Sequence, residues 1–159
     1  MQSEAALQQT KSITATSTEW PTIGLTTLNW LAFVALTLSY QVMPWWLLLP
    51  LGGYLIALFG SLQHEVLHGH PTPCQWLNEA MVFPNIALWI PYRLYKSTHL
   101  THHINHQLTK PNLDPESFYH DPTKWQHYPT WLKTYYRFYN TFIGRFFWGP
   151  LHVMGALYI

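Results

Sequence analysis

Between Glu19 and Glu65 the chain has no Asp, Glu, Lys or Arg, and this charge-free run limits the fold more than any other feature. It reads WPTIGLTTLNWLAFVALTLSYQVMPWWLLLPLGGYLIALFGSLQH. A helix needs roughly 20 apolar residues to cross a bilayer. The run holds two such stretches, about 22–41 and about 45–63, with Pro44 as the break. Trp20, Tyr40, Trp45 and Trp46 stand near their ends, where amphipathic rings favour the headgroup zone. The expected element is an α-helical hairpin crossing a membrane twice. A buried hairpin in a soluble core is the alternative, but so long a charge-free run exceeds what a core helix needs.

Composition agrees. Charged residues are 9% of the chain and aromatic residues 17%, against about 25% charged in a soluble domain. Surface facing lipid needs no charges. The 159 residues suit one domain, divided into a polar N-terminal tail, 1–19, and a membrane domain, 20–159. The first apolar stretch does not read as a signal peptide, because its leader is polar, with only Lys11 positive, and lacks a cleavage pattern. A net charge of +1 gives no case for nucleic acid, and Cys74, being single, forms no internal disulfide. Arg93, Lys96, Lys110, Lys124, Lys133 and Arg137 all follow the hairpin, and the turn near Pro44 has no basic residue. The positive-inside tendency puts the region after residue 63, and the N-terminus, in the cytoplasm.

After the hairpin the pattern is less regular. Residues 77–95 are apolar but interrupted by Pro84 and Pro91, which suggests an interfacial or re-entrant segment. Residues 107–130 are polar and turn-rich. Residues 131–148 mix Trp, Tyr and Phe with Lys133, Arg137 and Arg145, the pattern of a helix lying in the interface. From Phe146 the chain turns apolar again, like the start of a third span.

Seven of the ten histidines fall between His64 and His106. His64 and His68 are at i and i+4 in H-E-V-L-H, which places both on one helix face. His99, His102, His103 and His106 in H-L-T-H-H-I-N-H are at i, i+3, i+4 and i+7, again one face if the segment is helical. Two such faces near a membrane boundary can converge on metal. Neutral imidazole suits iron, zinc, copper or nickel and leaves the centre cationic. Ionisable groups at membrane depth are costly and mark function. Scattered solvated histidines are the alternative, and it fits His120, His127 and His152. His70, after Gly69, is a ligand or a turn marker, and His106 a ligand or a supporting donor.

H-x-x-x-H followed some thirty residues later by H-x-x-H-H, after an apolar hairpin, resembles the membrane fatty acid desaturase and hydroxylase superfamily. HEVLHGHPTP, FPNIALWIPYRLYKSTHLTHH and LTKPNLDPES add to the resemblance, which covers roughly 22–120. It implies a centre of two iron ions that activates O2 and removes hydrogen from an alkyl chain. By that resemblance His64 and His68 are ligands from the first box, and His99, His102 and His103 from the second. Glu65, Asp114 and Glu116 are candidate acceptors for ligand N–H groups. The expected substrate is a fatty acyl chain in an apolar channel; acyl-CoA, acyl-lipid, alkane and carotenoid all suit it. Electrons would come from a separate donor protein, since the sequence shows no flavin, haem or Cys-rich motif. Arg93, Lys96 and Lys110 suit either an acidic donor or, better, anionic membrane lipid.

The family also has a third histidine box, and the chain ends before one. The expectation is therefore the N-terminal part of a longer enzyme, weak in metal binding and inactive alone. H-E-V-L-H also matches the zinc-protease pattern H-E-x-x-H, with Glu65 as general base and Glu79 or Asp114 as third ligand. A second histidine cluster is superfluous for a protease. A non-catalytic membrane metal-binding protein is the remaining alternative.

Overall fold

A computed structural model of the chain describes residues 15–87, 91–110 and 113–158. Residues 1–14 of the polar tail, and 88–90 of the interrupted segment 77–95, lie outside the described residues. Among the described residues every regular element is an α-helix: α1 Trp20–Leu38, α2 Trp45–Leu67, α3 Gln75–Met81, α4 Tyr92–Ile104, α5 Pro122–His127, α6 Thr130–Tyr139 and α7 Phe142–Tyr158. They fall into two units, Met1–Leu88 and Trp89–Ile159.

In the first unit, α1 carries Pro21 in its first turn, where the missing N–H is no loss. Pro44 is the extended N-cap of α2, so the turn lies where proline puts it. α1 stops at Leu38, short of the expected 41, while α2 runs one turn past 63 and takes His64 into the helix. Both helices are long and apolar enough to cross a membrane, and only 11% of the most apolar 18 residues of each is buried. The core of a soluble protein would cover far more of them, so this exposure speaks against the soluble-core alternative. Leu28, Leu31, Leu49 and Tyr54 are each more than 60% exposed. The two helices meet through Trp30 and the fully buried Phe59, ring edge to ring face at 5.6 Å. The Trp30 Nε1 donates to the Met81 carbonyl at 2.8 Å, which ties α1 to the end of α3.

The loop after α2 turns on Gly69, whose φ of 85° lies in the left-handed region that glycine favours. Asn78 of α3 then fixes that loop. Its Oδ1 accepts from Thr72 N (2.9 Å) and Thr72 Oγ1 (2.7 Å), and its Nδ2 donates to the carbonyls of Thr72 (2.8 Å) and Gly69 (3.2 Å). Asn78 has no exposed surface, so each of these bonds replaces one that water cannot supply. The last residues of the tail join the same loop: Ala15 N donates to Gly69 O at 3.3 Å and Glu19 N to Pro71 O at 2.9 Å.

The interrupted apolar segment is not one element. α3 ends before Pro84, and α4 begins only after Pro91, its extended N-cap. The residue before a proline disfavours helix, which accounts for the gap. In the second unit, Asp121 caps α5 by accepting from Thr123 N at 2.8 Å. The stretch 131–148, expected as one interfacial helix, is two helices broken at Asn140 and Thr141. Gly144 permits the junction, because a Cβ there would collide with the Phe138 carbonyl and sit 2.9 Å from Tyr139 Cα. α6 and α7 are then locked by Tyr135, whose hydroxyl is 2.7 Å from His152 Nδ1 and accepts from Trp148 Nε1 at 3.2 Å. α7 has Pro150 within it and is 17 residues long, shorter than α1 or α2.

Gly144→Ala is expected to destabilise the α6–α7 pair by roughly 1–3 kcal/mol, and Asn78→Ala, which strands buried groups, by about 2–3 kcal/mol. Thermal unfolding of the detergent-solubilised protein measures both.

Candidate metal centre

His64 stands in the last turn of α2 and His68 at its C-cap, where the helix extension beyond the lipid-length stretch carries them. Their rings stand 4.7 Å apart, edge to face, as i and i+4 on one helix require. His68 is the C-cap, and its N–H bonds the carbonyls of Glu65 (3.1 Å) and His64 (3.4 Å), so the backbone of the pair is fixed. Both rings are partly exposed.

The histidines of α4 are supported by carboxylates from the D-P-E-S turn that follows. His99 Nδ1 lies 3.0 Å from Glu116 Oε1, and His102 Nδ1 lies 2.7 Å from Asp114 Oδ2. An ionised carboxylate only accepts, so each Nδ1 carries the proton and each Nε2 keeps its lone pair. Asp114 is buried, and its other oxygen accepts from Glu116 N at 2.9 Å, which sets both carboxylates in one turn. His103 Nε2 faces His99 Nε2 at 2.9 Å. Two imidazoles bound side by side to one ion, with bonds of about 2.1 Å, hold their nitrogens roughly 3 Å apart. The spacing on α4 therefore fits a metal ion, and without one it is satisfied by His103 donating to His99. The free Nε2 of His102 is 4.0 Å from Glu116 Oε2.

The remaining candidates are placed differently. α4 ends at Ile104, so His106 lies beyond the helix, exposed, and does not continue the face of His99 and His103. Asn105 causes the break: its Oδ1 accepts from Gln107 N at 2.9 Å and its Nδ2 donates to Leu113 O at 2.6 Å, bonds that compete with helix. His70 is held by Glu19, Nδ1 to Oε1 at 2.6 Å. The Glu65 carboxylate is half exposed, 3.9 Å from His64 Nδ1. Glu79 accepts from Gln75 at 3.1 Å. His127 is exposed and donates to Thr123 O.

Some residues with a role here carry no motif. Tyr95, one turn before His99, packs its ring 5.6 Å from that imidazole. Burial, and then the charge of Glu116, push its phenol above the usual range, so it stays protonated. Its i, i+4 spacing from His99 was the available signal. His120 and His152, read as ordinary, belong to an aromatic cluster: His120 packs 4.1 Å from Tyr136 and stacks on Trp125 at 5.4 Å. Burial, and then His152, push His120 below the usual imidazole value.

The described residues are thus helical, with two membrane-length helices and with carboxylate-supported imidazoles spaced so that they could hold a metal ion. The profile of the fatty acid desaturase family matches residues 40–157, and the chain belongs to that family. The match begins just after α1 and runs into α7, so it starts later than the 22–120 over which the motifs are legible and reaches further at the other end. No curated protein and no solved structure matches the chain.

Asp114→Asn and Glu116→Gln are each expected to weaken metal binding about 10- to 100-fold, read by anaerobic Fe(II) titration. His120 adds a pH effect. Unfolded, it takes up a proton as pH falls through about 6.5, whereas folded it resists until lower pH. Stability is therefore expected to fall as pH drops through and below that value, and His120→Gln to flatten the dependence, as thermal unfolding between about pH 7 and pH 5 would show.

Proposed function

We propose that the protein is a multi-pass membrane oxidoreductase that uses two iron ions and O2 to oxidise lipid acyl chains, with His64, His68, His99, His102 and His103 as iron ligands. Family membership supports the chemistry. The observation that carries the residue assignment is the pairing of His99 with Glu116 and of His102 with Asp114, which makes Nε2 the lone-pair nitrogen of each ring and sets the Nε2 of His99 2.9 Å from that of His103. Iron bound there supplies O2 activation and removal of hydrogen from an unactivated methylene.

The chain's own residues then have separable tasks. Glu116 and Asp114 hold the Nδ1 protons, and so fix tautomer and ring direction and raise ligand basicity. Uncharged imidazoles leave the metal its positive charge. Tyr95 covers His99 with a phenol that keeps its proton at neutral pH. The exposed apolar flanks of α1 and α2 face lipid, from which an acyl substrate arrives. The outcome is a double bond or a hydroxyl, and a separate protein delivers electrons. The basic residues after α2 support a cytoplasmic location for the histidines.

The test combines metal analysis with lipid analysis. The full-length gene product, purified, is expected to hold iron, and His64→Ala or His99→Ala to strip it. Host lipids are expected to gain unsaturated or hydroxylated chains only when that product is made with O2 and intact ligands. One zinc per chain, peptide hydrolysis abolished by Glu65→Gln and unchanged lipids would refute the proposal in favour of a protease. Metal bound without any O2 consumption would favour a carrier.

A further inference from the structure

We propose that the outward face of α6 docks on anionic phospholipid headgroups, with Trp131 and Phe138 in the lipid and Arg137, exposed beside Phe138, on the phosphates. α6 has two unlike sides. Tyr135 and Tyr136 turn to protein, against His152 and His120. Trp131 and Phe138, seven residues and so two turns apart, share the other side. They are 70% and 47% exposed, and Thr134 between them is exposed too. Past the break, Phe142 and Phe146 stack at 6.0 Å and are 82% and 66% exposed. Water-facing helices rarely carry so many exposed large aromatic side chains.

Charge chooses the occupant. After Ser117 the chain has Lys124, Lys133, Arg137 and Arg145 against Asp121 alone. Asp121 is engaged as the cap of α5. Among the described residues Lys133, Arg137 and Arg145 form no ion pair with a carboxylate. Lys133 reaches only the Gln126 carbonyl (3.0 Å), and Arg145 lies 4.5 Å over the Phe118 ring. Unneutralised basic residues interleaved with Trp, Tyr and Phe on a short amphipathic helix match an anionic bilayer interface. A chain held in a bilayer by α1 and α2 also meets lipid at high effective concentration. The inference rests on the membrane part of the proposed function and not on iron.

The test uses the full chain in nanodiscs, with Cys74→Ser removing the exposed native thiol. A nitroxide is placed in turn at Trp131→Cys, Phe138→Cys and, as a control in the middle of α1, Leu31→Cys. Collision with O2 against a water-soluble nickel complex then reports lipid or water. In bilayers of mixed phosphatidylcholine and phosphatidylglycerol, all three labels are expected in lipid. Arg137→Gln is expected to lower the docked-to-free ratio at 131 and 138 about fivefold and to leave the Leu31 label unmoved, and Lys133→Gln, on the side of the helix away from Trp131, to change the ratio less. Pure phosphatidylcholine, or about 1 M salt, is expected to act in the same direction. Labels at 131 and 138 in water while Leu31 is in lipid would overturn the docking and point to an acidic protein as occupant. Equal burial in both bilayers, indifferent to the glutamines, would overturn the anionic recognition. Water at Leu31 would sink the membrane reading, and this inference with it.

Discussion

A backbone inside lipid has no water to bond with, so each of its N–H and C=O groups must find a partner within the chain. Everything in the first unit follows from that constraint. It makes α1 and α2 uninterrupted helices, confines the turn to the residues before Pro44, and leaves most of both surfaces uncovered by protein. It also decides where polar chemistry can begin. α2 continues one turn past its apolar stretch, and the first imidazoles stand on that turn. The contacts that need long-range closure, Asn78 with the Gly69–Thr72 loop and Trp30 with Met81, gather the rest of the unit around the end of α2.

The second unit solves a different problem. A helix can put imidazoles on one face, but it cannot choose their tautomer or aim their lone pairs. On α4 that choice is made by a proline turn twelve to seventeen residues away, where Asp114 and Glu116 take the Nδ1 protons. Burial of Asp114 makes the arrangement stiff, because a buried carboxylate without its donor is costly.

What could be read in the sequence has local causes. The hairpin was legible because hydropathy and proline act over a few residues, and the spacings of His64–His68 and His99–His103 because helical periodicity is a local rule. What escaped depends on partners far along the chain. Nothing near Asn78 announces four hydrogen bonds, and nothing near Gly144 announces the Phe138 carbonyl. His120 and His152 looked isolated because α5, α6 and α7 must fold before their rings meet. His106 fitted the helical period, but the Asn105 side chain offered the backbone a better bargain than another helical turn.

Glu19 and His70 are 51 residues apart in sequence and 2.6 Å apart in space. With Glu19 N on Pro71 O, they fasten the segment entering α1 to the loop leaving α2. The hairpin is thereby a closed ring rather than two rods joined at one end. Residues 15–19 act as its buckle, so a shortened version beginning at Trp20 would keep both long helices and yet leave the stretch that carries the chain out of His68 hanging on Asn78 alone.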